Sequence, residues 1–267
     1  MDPAKALIWG TGKIVTSTGI VASIACLIFW LRVEKKGTLY TLKDWSTETS
    51  QKLVLTYFHL ISSYILNFIS FAYALSSQKL LNVISCHPYE VIVGIIILMS
   101  VLTTLLEFIP YCPENNLIKI VAWFLHSTVL GLPLTFFGTR ICTKAVLQTI
   151  LMLGLSSLMS FLAPNDFYKA LERRLTNVYY LVTLSSICCL LIDIPVTTVS
   201  ISLLTINFLG GIVLYFCTFI INTQFLLNDI LTNESYDPIY TSAVLYLCTM
   251  NLYIRNALYY FVECSKL

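Results

Sequence analysis

The sequence predicts an all-α polytopic membrane protein, and two observations carry that reading: a composition too poor in charge to face water, and a succession of apolar stretches of bilayer length. Of the 267 residues, 57% are hydrophobic and 11% charged, and mean hydropathy is +0.81. A soluble domain carries roughly 25% charged residues, so this chain has too few to cover a globule, whereas helices that face lipid need no such cover.

A hydrocarbon core about 30 Å thick takes roughly 20 residues of helix. Eight stretches meet that requirement, over residues 14–31, 53–75, 91–109, 117–137, 145–162, 178–194, 200–227 and 239–262. The last is the weakest, because Asn251 and Arg255 lie inside it.

Turn-forming residues fall between these stretches, where a membrane bundle tolerates polar backbone. Pro110, Pro113, Asn115 and Asn116 separate the third and fourth spans. Pro164, Asn165 and Asp166 end the fifth, Pro195 closes the sixth, and the run from Asn233 to Pro238 precedes the last. Basic residues favour the side holding the loop after the first span, with Arg32, Lys35, Lys36 and Lys43 concentrated there, which predicts a cytoplasmic or matrix position for that loop.

Chemistry-bearing motifs of soluble enzymes are missing from the sequence, so no catalytic residue is assigned. There is no Gly-x-Ser-x-Gly, His-Glu-x-x-His or phosphate-binding glycine loop. The cysteines that fall in apolar spans behave as small hydrophobes. The three histidines stand apart, so no metal site or cofactor is expected. A net charge of +2 gives no reason to expect a nucleic-acid partner. The expected partner is the lipid bilayer.

Polar side chains within the spans carry more information, since an ionisable group in hydrocarbon costs at least ~2.5 kcal/mol and tends to mark a pathway or a partner. These are His126, Glu107, Asp193, Asn222, Gln224, Asn251 and Arg255. His126 next to Ser127 does not make a catalytic dyad, because neighbouring helix positions do not face one another, and a satisfied intrahelical histidine is expected. Glu107 and Asp193 lie close to Pro110 and Pro195 and suit either the interior or the interface. Arg255 is expected either to snorkel or to meet a buried acid such as Glu107. Gly19 with Ser23, and Gly210 with Gly211, are expected to let helices pack closely.

Four runs together carry a family likeness. Ile109-Pro110-Tyr111 is followed by Lys119 and by Ala122-Trp123-Phe124-Leu125-His126-Ser127. Ala163-Pro164 and Gly210-Gly211 come next, and Tyr236-Asp237-Pro238-Ile239 precedes Tyr246, Thr249, Asn251 and Arg255. In order and spacing these resemble the mitochondrial, growth hormone-inducible branch of the Bax-inhibitor (transmembrane Bax-inhibitor-motif) family, over roughly residues 10 to 262. The resemblance implies a seven-helix bundle with an extra N-terminal transmembrane helix: residues 1–45 form a tail, the first span and a basic loop, and residues 46–267 the bundle. It also implies the inner mitochondrial membrane, the endoplasmic reticulum or Golgi being the alternative. Function would be cation leak or calcium/proton exchange, with ties to cristae organisation, apoptosis regulation and other mitochondrial membrane proteins.

In that family two aspartates on the last two core helices share a proton and an early arginine latches them. Here the corresponding positions are Asn222, Cys248 and Glu107. Two readings follow. In the first, a lone Glu107 keeps the net charge of the site and serves as acidic ligand and proton acceptor, with Asn222 adding a carbonyl oxygen to a calcium path. His126, Asp193, Gln224, Asn251 and Arg255 support it. In the second, the altered site no longer conducts, and the protein is a structural or interaction paralogue.

Overall fold

The computed structural model describes residues 45–164, 167–191, 203, 206–232 and 235–264. The predicted first span and Asp193 lie outside the described residues. Eight α-helices follow in order: α1 (Thr47–Ser76), α2 (Gln78–Cys86), α3 (Pro88–Phe108), α4 (Asn116–Val129), α5 (Gly138–Leu162), α6 (Phe167–Leu191), α7 (Gly211–Thr232) and α8 (Pro238–Cys264). Among the described residues there is no strand.

Local chemistry sets the helix ends. The Ser46 hydroxyl accepts the Thr49 amide and so caps α1, with Glu48 in the first turn where a negative charge suits the helix dipole. Pro88 opens α3 at a position whose amide needs no intrahelical partner. Asp237 caps α8, its Oδ1 accepting the amides of Ile239 and Tyr240 at 3.1 Å each, and Pro238 takes the first helical position.

Five described helical segments are long and apolar enough to cross a bilayer: Thr47–Ser76, Glu90–Phe108, Asn116–Phe137, Ile141–Leu162 and Gly211–Thr232. They coincide with five of the predicted spans. The fourth is not one α-helix: α4 ends at Val129 and a 3-10 turn, Leu132–Phe137, completes the segment around Pro133. Described residues of the seventh include a π-helical turn, Ile206–Gly210, and run on to Thr232, beyond the predicted end at 227. Helices α6 and α8 have the length, at 25 and 27 residues, but are not among the five. The first half of α6 is rich in charge (Lys169, Glu172, Arg173 and Arg174), and α8 carries Asn251, Arg255, Asn256 and a series of tyrosines. Most of α8 is buried, and Arg255 and the Asn256 amide find partners there.

The described chain forms two compact units. One comprises Trp45–Thr139 and Leu226–Met250; described residues of the other come from 140–225 and 251–264. In the first unit, α1 and α3 both pack on α4. The buried face of α1 carries Thr56, Leu60, Ser63, Asn67, Phe71 and Ala74, while Val54, Phe58, Ile61, Ile65, Phe68 and Ile69 are exposed. In lipid there is no hydrophobic drive to bury apolar groups, so small and polar residues share the contact with Leu60 and Phe71 while many apolar ones face outward. Leu106, Ala122, Trp123, Ile239 and Ala243 form the apolar part of this unit's core.

Close approach of α1 to the end of α4 depends on Gly131. A β-carbon there would sit 2.5 Å from the Asn67 carbonyl oxygen and 2.8 Å from the Ser70 β-carbon. Among the described residues, the second unit holds apolar clusters centred on Met152, Ile212, Leu252 and Tyr259, on Met159, Ala163 and Ile220, and on Leu175, Val182 and Leu214.

Candidate functional site

Polar groups in the first unit are drawn together along the inner face of α1. Thr56 and the Tyr236 hydroxyl share a hydrogen bond of 2.6 Å. Two turns further on, Ser127 of α4 donates to Ser63 at 2.9 Å. One turn beyond, the Asn67 amide donates to the Tyr246 hydroxyl at 2.7 Å, and that hydroxyl donates to the Ser127 carbonyl at 3.0 Å. Three helices thus meet through a buried hydroxyl and amide network, which low dielectric strengthens as long as each group has a partner.

At the start of α4 and α8 the unit holds a buried ion pair. Lys119 is fully buried and bonds Asp237, and it also donates to the Ile109 carbonyl at the end of α3. A single lysine therefore ties the end of α3 to the starts of α4 and α8. Nearby, burial pushes the Tyr236 phenol up to about 12; the hydroxyls of Thr56 and Thr241 oppose that rise, and Asp229 and Asp237 add to it.

His126 takes no part in these hydrogen bonds. Its side chain is 0% exposed, its ring stands 5.8 Å from the Tyr246 ring, and neither ring nitrogen has a hydrogen-bond partner. The expected satisfied intrahelical histidine is not found. The ring turns across to the aromatic face of α8, whereas Ser127 is the residue that bonds back to its own helix, at the Trp123 carbonyl.

The sequence-predicted residues are distributed over both units. Glu107 is exposed at the end of α3, next to Ile109-Pro110, within electrostatic reach of Tyr240. Cys248 is buried on α8 and, with Thr249, lies against Tyr64 of α1.

In the second unit Asn222 and Asn251 are half-buried. Gln224 is buried and donates to the carbonyls of Ser160 and Pro164, each at 3.3 Å. It thereby serves the end of α5, where helical carbonyls run out of partners. Arg255 does not snorkel: it donates to the Asn207 backbone carbonyl at 2.6 Å and to the Asn207 side-chain oxygen, and lies 6.0 Å from the Tyr215 ring. It crosses α7 at Gly211, where a β-carbon would be 2.9 Å from the guanidinium carbon.

Sequence reasoning named Lys119, Asp237 and Tyr246 only as part of the family likeness, without their partners, and passed over Ser63, Asn67 and the fully buried Asn256, whose amide donates to Thr149 at 2.9 Å. A signal was present for some: Thr56, Ser63 and Asn67 recur at helical spacing on one face of an otherwise apolar span.

No family model and no solved structure matches the chain. The growth hormone-inducible transmembrane protein of Rattus norvegicus is 25% identical over 256 residues, covering 92% of this chain and 73% of that protein. That similarity supports the growth hormone-inducible transmembrane family. The word transmembrane in the rat protein's name suits the five apolar segments found among the described residues.

Proposed function

We propose that this multi-pass protein has lost the paired-carboxylate calcium route and works as a structural or interaction paralogue of the growth hormone-inducible type. Its setting is the inner mitochondrial membrane, and its role lies in cristae organisation or apoptosis regulation, through other membrane proteins of that compartment. One observation carries the reading: in the first unit, the positions corresponding to the latch and to one aspartate hold an exposed carboxylate, Glu107, and a buried thiol, Cys248. Calcium takes 6–8 oxygen ligands, and a thiol is a poor one. The partly buried carboxylate of Asp237 is engaged by Lys119.

Calcium flux into proteoliposomes holding the purified protein tests the proposal. The natural protein is expected to show none. Flux only after Glu107→Arg, Asn222→Asp and Cys248→Asp are combined supports a lost route in a retained fold. Flux in the natural protein that disappears in Glu107→Gln overturns the proposal in favour of a calcium/proton exchanger with a rebuilt site. A glycan on Asn233, which lies in an Asn-Glu-Ser sequon, would move the protein to the endoplasmic reticulum or Golgi.

A further inference from the structure

His126 stands out among the buried ionisable groups of the first unit. It lies in a segment long enough to cross the membrane, is wholly enclosed, and offers two ring nitrogens without partners. One turn earlier on α4, the Trp123 ring nitrogen, an obligate donor, is also buried without a partner. Buried polar groups are nearly always hydrogen-bonded, and exceptions in a native fold point to bound water or to a chemical role. Next to them lies the hydroxyl network of Ser63, Ser127 and Tyr246.

We propose that His126 is the centre of a proton relay within this unit, separate from Glu107, Asn222 and Cys248 and independent of calcium. Its ligand is a proton delivered by a water molecule that Trp123 and the ring hold. The proton, carried as hydronium, leaves water behind as it forms an N–H bond at the bare ring nitrogen, and the other nitrogen releases its own proton to a second water beside the hydroxyl network. No electrons change hands, and the imidazole returns to neutral in its other tautomer. Hydroxyls suit the neighbouring positions because each both donates and accepts.

Titratable and charged groups around the relay come from α1, α3, α4 and α8. On α1, His59 packs edge-on against Trp123 at 5.3 Å and Tyr64 lies 5.7 Å from the Tyr246 ring. On α8, Tyr246 stands against the ring and Cys248 lies against Tyr64. Lys119, two turns away on α4, is matched by Asp237, and Glu107 of α3 is exposed.

The test is proton entry into calcium-free liposomes that contain a trapped pH-sensitive dye, with the membrane potential clamped by potassium and valinomycin. The natural protein is expected to acidify the lumen several-fold faster than protein-free liposomes. His126→Phe is expected to fall to the protein-free rate, Tyr246→Phe to slow at least threefold, and His87→Gln, on the exposed His87, to match the natural protein. Variants are compared only when they keep the natural helix content and elution volume. If His126→Phe does not fold, Tyr246→Phe, which keeps the ring, decides alone. A natural protein no faster than bare liposomes, or folded His126→Phe or Tyr246→Phe running at the natural rate, overturns the relay. Calcium flux is measured separately, so neither result depends on the scaffold reading.

Discussion

Lys119 and Asp237 form an ion pair in which the lysine side chain is 1% exposed and the aspartate 19%. Taking both charges from water is costly, and the attraction offsets that only because further bonds satisfy what remains: the Ile109 carbonyl for Lys119, and the amides of Ile239 and Tyr240 for Asp237. Removing one partner leaves the other charged and buried.

Asp237→Asn is therefore expected to destabilise the protein by about 3–5 kcal/mol, although asparagine still caps α8. Lys119→Met in the same chain should recover much of that loss, because no unpaired charge then remains. Denaturant unfolding in detergent, followed by helix content, measures both variants against the natural protein. Equal losses for the single and double variants would show that the pair contributes nothing beyond the cap.

Gly131→Ala is expected to be poorly tolerated. The new β-carbon would meet backbone atoms, the Asn67 oxygen at 2.5 Å and the Phe71 nitrogen at 3.0 Å, and backbone cannot rotate aside. A loss of about 1–3 kcal/mol is expected from such overpacking, read as a lower melting temperature. Gly94→Ala has nothing within 4 Å and should gain up to about 1 kcal/mol from helix propensity.

Tyr246→Phe removes the hydroxyl that links α1, α4 and α8, and leaves the Asn67 amide without its 2.7 Å acceptor. The expected loss is about 1–3 kcal/mol. Adding Asn67→Leu should cost less than the sum of the two single changes, since the orphaned donor is removed with it. Strict additivity in that double-mutant cycle would mean the two groups are not coupled.

Tyr236 makes stability fall at alkaline pH. The unfolded phenol titrates near 10.0 and the folded one at about 12, so between those values the unfolded state releases its proton first. The stabilisation is whole below the unfolded value and is lost as pH rises through the folded one, amounting to at most about 2.7 kcal/mol. Melting temperatures from pH 8 to 11.5 should decline more steeply for the natural protein than for Tyr236→Phe. Parallel declines would rule out this residue as the source.

Fold class and most span positions could be read directly from the chain, because hydropathy over some twenty residues is a local property and lipid imposes it on each helix separately. The same is true of the Asp237-Pro238 helix start and the breaks at Pro110 and Pro164, where backbone chemistry acts within a few residues. Which face of each helix turns inward was not legible in this way. In lipid both faces are apolar, so the periodicity that marks a buried face in water is weak, and α1 shows its inner side only through Thr56, Ser63 and Asn67. Partners distant in sequence lay beyond local reading altogether: Lys119 with Asp237, Asn67 with Tyr246, and Arg255 with Asn207 and Gly211. Glu107, placed three residues before a proline, was compatible with interior or interface, and the end of α3 left it exposed. His126 needed packing to define it, since a ring nitrogen is satisfied or orphaned by what other helices bring to it, and here they bring the face of Tyr246.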